Sequence, residues 1–344
     1  MGFAEASPYR GDRARATLGA PASLPACLFQ EDGPERTQTR RQGCRRSQAQ
    51  SFSRSSLTIW IRAPCRSIER LGDWIWRIPF SQSCFGSCMI VLHQLTKRFG
   101  AQVAVAGLSF EVPAGQIVGF LGPNGAGKST TLKMLTGMIE PTDGTATVCG
   151  FDLRRETLEV KRRVGFVPES GAVFESLTGL EYLEMVAALY GIPEEHARER
   201  IRQFIAFFDL SFETLTDKLL GAYSKGMRRK VVITAALLHN PPVVFFDEPL
   251  DGLDANAAVG FKALIQTLAR EGKTIVYSSH VLDVVERVCD RVIIIDKGRV
   301  LVDGRPDELV AAGNAGTLER LFTQLTGGGE LERRAEDFAR TFRT

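Results

Sequence analysis

From residue 89 onward, apolar and polar positions sort into short runs with a definite period. Runs over 89–95 and 108–112 read as strands, marked off by turn signals at Gly107 and Pro113-Ala114-Gly115. Runs over 116–121 and 243–246 are apolar nearly throughout, and 273–278 has Ile275-Val276-Tyr277 at its centre; all three predict buried strands. Weaker strand patterns cover 145–149, after a Pro141-Thr142-Asp143-Gly144 turn, and 163–167, where Pro168 stops the run. Runs at 291–295 and 299–302 predict a hairpin across Lys297-Gly298. The helical period is clearest in the middle. Thr178-Gly179-Leu180-Glu181 fits the capping box and opens a helix through Tyr190, which Gly191-Ile192-Pro193 breaks. A second helix is expected over 194–208, with Ile201, Phe204, Ile205 and Phe208 as one apolar core stripe. A third runs over about 225–239 and ends at Pro241-Pro242. Other helices are expected after Thr131, over 257–269, and as two weak segments beyond Gly304. The pattern is an α/β body with a helical insertion over about 170–225, a subdomain that reaches about 235 with the third helix.

Composition changes this picture in one place. The chain is 44% hydrophobic, enough for a full core, and no apolar run reaches 18 residues, so no transmembrane helix is expected. The net charge of +3 is unevenly spread. Residues 1–88 carry thirteen Arg, no Lys and seven acidic residues; the remaining 256 residues sum to three negative charges. That body is not a basic nucleic-acid binder, and no nucleic-acid partner is expected. Residues 1–88 hold all three Trp, eleven Ser and five of seven Cys, and show no sustained period. They read as a disordered or over-extended N-terminal segment, with Met89 as the expected start. Cys84 and Cys88 lack further ligands at metal spacing. Cys149 and Cys289 are isolated, which suits a reducing setting. Residues 326–344 read as a charged, solvated tail.

The candidate chemistry centres on Gly122-Pro123-Asn124-Gly125-Ala126-Gly127-Lys128-Ser129-Thr130, which fits G-x-x-x-x-G-K-[ST] between a strand and a helix. Glycines let backbone N–H groups turn in around phosphate oxygens, and a helix N-terminus adds positive potential. Lys128 would reach the β- and γ-phosphates, and Ser129 would bind Mg²⁺. Asp247 and Glu248 end a buried strand, the end at which open α/β sheets bind ligands. In-line hydrolysis needs neutralised phosphates, a metal and an oriented water. Asp247 and Glu248 are the carboxylates available at that end. His280 follows the strand over 273–278.

In this order, these motifs resemble an ABC transporter ATP-binding subunit over residues 89 to about 325. The resemblance implies a P-loop NTPase (RecA-like) core with an antiparallel β subdomain and an α-helical insertion carrying the family signature. It makes Phe99 the adenine-stacking position, 243–248 the Walker B strand with Glu248 as catalytic glutamate, Gly252-Leu253-Asp254 the D-loop and His280 the switch histidine. The signature, usually Leu-Ser-Gly-Gly-Gln, corresponds to Tyr223-Ser224-Lys225-Gly226-Met227. Ser224 and Gly226 keep its phosphate-facing positions. The Q-loop position, usually Gln, is Glu169, which places Glu169 with Ser129 and Asp247 at the metal. Both departures are similar to the ABC-2 type exporter branch. The implied partners are a separate multi-span permease and a second ATPase subunit in a homodimer. The implied location is cytoplasmic, on the inner face of the membrane. A ribosome- or DNA-associated ABC ATPase is the alternative; those usually carry two cassettes or long coiled coils, and this chain has one P-loop and no heptad run. A P-loop kinase or GTPase is disfavoured by the signature and by the absence of Asn-Lys-x-Asp.

Overall fold

The computed structural model describes residues 88–327 and, beyond them, Arg334 and Phe338. The expectations for residues 1–87 and for most of the tail lie outside the described residues. In chain order, β1 (Cys88–Phe99), β2 (Gln102–Pro113) and β3 (Ile117–Leu121) lead to α1 (Lys128–Leu135). Next come β4 (Asp143–Val148), β5 (Phe151–Asp152), α2 (Thr157–Arg163) and β6 (Val164–Val167). The middle holds α3 (Gly179–Leu189), α4 (Glu194–Phe207), α5 (Phe212–Asp217), a 3₁₀ turn (Leu220–Ala222) and α6 (Lys225–Leu237). Then follow β7 (Val243–Asp247), α7 (Ala255–Arg270), β8 (Thr274–Ser278), α8 (Leu282–Val288), β9 (Arg291–Asp296) and β10 (Arg299–Gly304). The last helices are α9 (Pro306–Ala312) and α10 (Leu318–Thr326).

Two sheets result. One is antiparallel, in the order β2-β1-β4-β5. The other runs β10-β9-β3-β8-β7-β6, parallel except for β10 at its edge. This matches the expected core with an antiparallel β subdomain. Strand β7 shows why its sequence is apolar without alternation. Val243 and Phe245 face the core shared with the antiparallel sheet and α1, whereas Val244 and Phe246 face the core under α6, α7 and α8. A strand buried on both faces has no polar side to show. Phe246 meets Phe261 edge to face, centroids 5.0 Å apart.

Several boundaries differ from the sequence expectation. Strand β1 continues past Leu95 to Phe99, because Lys97, Arg98 and Phe99 pair with Val105, Val103 and Gln102 across a tight turn at Gly100. Two charged side chains followed by an exposed Phe99 show no alternation, so a hydrophobic pattern misses the pairing. Strand β4 begins at Asp143, inside the expected turn, because Asp143 pairs with Thr96. Helices α2, α5 and α8 have 7, 6 and 7 residues, too few to display a period. The capping box at Thr178 is present: Glu181 N–H donates to the Thr178 hydroxyl at 3.2 Å, and the Thr178 N–H donates to the Glu181 carboxylate at 2.8 Å. The stripe on α4 is buried but divided: Ile201 and Ile205 pack within the helical insertion, Phe204 and Phe208 against the large sheet.

Candidate functional site

Strands β3, β8 and β7 are neighbours in the parallel sheet. Their C-terminal ends therefore deliver the loops after Leu121, Ser278 and Asp247 to one edge. The glycines at the first of these are required by close approach. A Cβ on Gly122 would lie 2.4 Å from the Ile295 carbonyl oxygen, and one on Gly127 would lie 2.5 Å from that of Ala104. Gly127 also has φ 104°, a conformation that favours glycine. It caps α1 with no side-chain hydrogen bond. No N-cap side chain therefore occupies the first-turn N–H groups of α1, the arrangement that suits an anion.

A cavity of about 350 Å³ opens here. Phe99, Pro123, Asn124, Gly125, Ala126, Gly127, Lys128, Ser129, Thr130, Glu169, Asp247 and Glu248 line it, so most of the expected site residues come together. The Lys128 ammonium folds back over its own loop, donating to the carbonyls of Gly122 at 2.6 Å and Pro123 at 3.2 Å. Burial lowers its pKa, and the charges of Glu248, Asp247 and Glu169 oppose that shift. Asp247 is almost fully buried, next to Ser278 in the strand register. Glu248 leaves the strand at φ 49°, in the left-handed region, while its N–H still donates to the Ser278 carbonyl at 3.0 Å. The His280 Nδ1 lies 2.8 Å from the Glu248 Oε2, with the imidazole 74% exposed and the carboxylate 13%. The edge thus offers one cation, a fan of N–H donors and a group of carboxylates, a combination able to hold a polyphosphate with a hard cation. Phe99 stands 51% exposed at the rim, with the Lys97 ammonium 5.2 Å from its ring centroid.

Ser224, Gly226 and Asp254 belong to a second group that does not line the cavity. The Ser224 hydroxyl accepts from the Met227 N–H and caps α6. A Cβ on Gly226 would lie 2.4 Å from the Gly252 carbonyl oxygen, so the signature backbone presses on the loop over 251–254. Lys225 pairs with Asp251 at 2.6 Å. Asp254 accepts from the Ala257 N–H at 2.8 Å and pairs with Lys230 at 3.0 Å. Two sets of residues were not legible in the sequence. Gln102, Val103 and Ala104 line the cavity because the turn after Phe99 folds β2 back beside it. Arg229 is buried between the two groups; an Arg three and four residues before the apolar pair Val232 and Ile233 on α6 was the available signal.

Comparison with known proteins agrees with this geometry. Residues 105–251 match the family model described as ABC transporter. The chain is 38% identical over 240 residues to the ABC transporter ATP-binding protein NatA of Bacillus subtilis, covering 68% of this chain and 96% of that protein. It is 39% identical over 222 residues to the Nod factor export ATP-binding protein I of Ralstonia nicotianae, covering 64% of this chain and 68% of that protein. Among solved structures, the dimeric post-hydrolysis state of the ATP-binding cassette MJ0796 with ADP and Pi is similar, with a TM-score of 0.59 and 25% identity. That match covers 63% of this chain and 98% of the other. The cavity, its carboxylates and these similarities lead to one assignment: the chain belongs to the ABC transporter family, as an ATP-binding and ATP-hydrolysing subunit.

Proposed function

We propose that this chain powers an ABC-2 type exporter, working as a pair of copies that close on Mg-ATP beneath a separate multi-span permease. The observation that carries the reading is the division of the site: Lys128, Ser129, Glu169, Asp247 and Glu248 share one cavity, while Ser224 and Gly226 lie off it. A phosphate held by Lys128 then has an open side for the signature of a second copy. The relative named for Nod factor export favours the exporter branch. Among the described residues no helix is long and apolar enough to cross a membrane. In this reading the membrane path lies in the permease, and the chain sits on the cytoplasmic face. A groove of about 380 Å³ beside Glu169, lined by Phe166, Pro168, Ala172, Tyr182, Val186 and Tyr190 among others, would take a cytoplasmic helix of that permease.

Within each site, Lys128 and the loop N–H groups hold the β- and γ-phosphates. The donor set fits Mg²⁺. Ser129, Asp247 and Glu169 offer hard oxygens at the cavity, and Mg²⁺ is commonly held by one or two carboxylates together with substrate phosphates. When bound, the metal neutralises charge on the phosphates. Phe99 supplies a face for the adenine ring. Glu248 accepts a proton from the attacking water or polarises it, a contribution of about 10²–10⁴-fold. His280 holds the Glu248 carboxylate through Nδ1–H and faces the γ-phosphate with Nε2. The test is Mg²⁺-dependent ATP hydrolysis by the purified chain. Lys128→Ala should lower turnover by about 100-fold or more, and wild-type turnover in that variant would reject the assignment.

A further inference from the structure

Arg229 sits near the start of α6 and is 2% exposed, an uncommon place for a permanent cation. Its guanidinium spans two loops. Nη1 donates to the Pro168 carbonyl at 2.6 Å and Nη2 to the Glu169 carbonyl at 2.7 Å. Nε donates to the Asp251 carbonyl at 3.4 Å. The first loop carries Glu169 into the nucleotide cavity. The second begins at Glu248, whose carbonyl accepts the Asp251 N–H at 3.2 Å. Strand β6 ends at Val167, so neither Pro168 nor Glu169 is held by the sheet ladder. The backbone under Glu169 is therefore tied to α6, the helix capped by Ser224, by one side chain. Burial disfavours the cation, while the charges of Asp251, Asp247, Glu169 and Glu248 oppose that shift.

We propose that Arg229 is a positioning residue for the metal and phosphate site: it fixes the main chain that carries Glu169, and ties that chain to α6 and to the loop after Glu248. Arg229 touches no substrate. Its effect passes through the placement of the Glu169 carboxylate, and so this rests on the reading of Glu169 as a ligand of the metal or of its water. The planar fork matters, because its donors leave three separate nitrogens and so reach carbonyls in two loops, whereas the three N–H groups of a lysine ammonium leave a single point. A second consequence is that α6 and the Glu169 loop move as one body, so that displacing the signature also displaces Glu169.

The test uses Mn²⁺ in place of Mg²⁺, with its affinity for the ATP complex read by electron paramagnetic resonance. All proteins carry Glu248→Gln so that ATP persists. Glu169→Ala should weaken Mn²⁺ about tenfold, Arg229→Met by a similar factor, and Arg229→Lys by less, with metal-free ATP affinity unchanged throughout. Circular dichroism melting verifies that each variant is folded. If Glu169→Ala binds Mn²⁺ normally, the metal reading of Glu169 fails and this inference fails with it. If Glu169→Ala is weakened and folded Arg229→Met is not, this inference alone is overturned. Should Arg229→Met fail to fold, Arg229→Lys decides: unchanged Mn²⁺ affinity overturns the proposal, and weakened affinity supports it.

Discussion

Glu248 shows how a single residue is set up for chemistry. Its N–H keeps the strand ladder to Ser278 while its φ of 49° turns the chain out of the strand. A non-glycine residue in that region costs about 1–2 kcal/mol, which the surrounding hydrogen bonds must hold in place. The sequence shows a carboxylate after a buried strand, but not this turn, because φ is imposed by the loop that follows. His239 is a residue whose consequence is stability. It stacks on Tyr190 with centroids 3.7 Å apart, and burial pushes its imidazole down to about 4, helped by the nearby charges of Lys273 and Arg200. The folded value lies below the ordinary 6.5, so below about pH 6.5 the unfolded chain takes up a proton that the native state refuses. This contribution is intact above about pH 6.5 and is lost as pH falls toward 4. His239→Phe keeps a stacking ring and removes the titration. Urea unfolding should then show the variant losing about 2 kcal/mol less than wild type between pH 7 and pH 5. Equal losses in both proteins would show that His239 is not the group responsible.

Helix α6 ties the helical insertion to the catalytic sheet. Val232, Ile233, Ala236 and Leu237 pack into the core under the large sheet, while Val231, Ala235 and Leu238 pack into the core of the insertion. Helix α4 divides its apolar residues in the same way. Two helices that each face both cores let the insertion shift relative to the sheet only by repacking, not by free hinging. The segment leading into α3 is the freer part. Phe174 is 60% exposed, with its ring 6.4 Å from that of Tyr182, a residue that lines the groove proposed for the permease. Phe174→Asp should lose co-purification of the permease from membranes while ATP binding stays within about twofold, since surface changes away from a site usually cost under 0.5 kcal/mol. Intact co-purification would remove this face from consideration.

The assembled molecule is proposed to be a pair, with each ATP held by Lys128 of one copy and capped by Ser224 and the Gly226 N–H of the other. Two identical copies meet through one self-complementary patch, as two-fold symmetry requires. ATP is part of that contact, so its cleavage loosens the pair and supplies the movement a permease can use. Glu248→Gln keeps the shape and removes the base. With Mg-ATP it should run as a dimer in light scattering, and with ADP as a monomer. Adding Ser224→Arg places a bulky cation in the shared site and should leave a monomer even with ATP. One oligomeric state in all three samples would contradict a nucleotide-driven pair for the isolated chain.

The local features were readable because their physics is local. Residues 122–130 carry the phosphate-loop pattern in consecutive side chains and glycines, Thr178 to Glu181 cap a helix through a three-residue spacing, and 243–248 announce a buried strand that ends in acids. The arrangement of these parts was not readable. That β8 lies between β3 and β7, bringing His280 onto Glu248, depends on which distant strands pair. That Lys97 to Phe99 join a strand depends on register with β2, not on their polarity. Arg229 meets Pro168 and Glu169 across about sixty residues of chain. The hydrophobic period encodes which face of an element is buried, and turn residues encode where it stops. Neither encodes the partner it meets, which is settled only when strand register and the two shared cores close together.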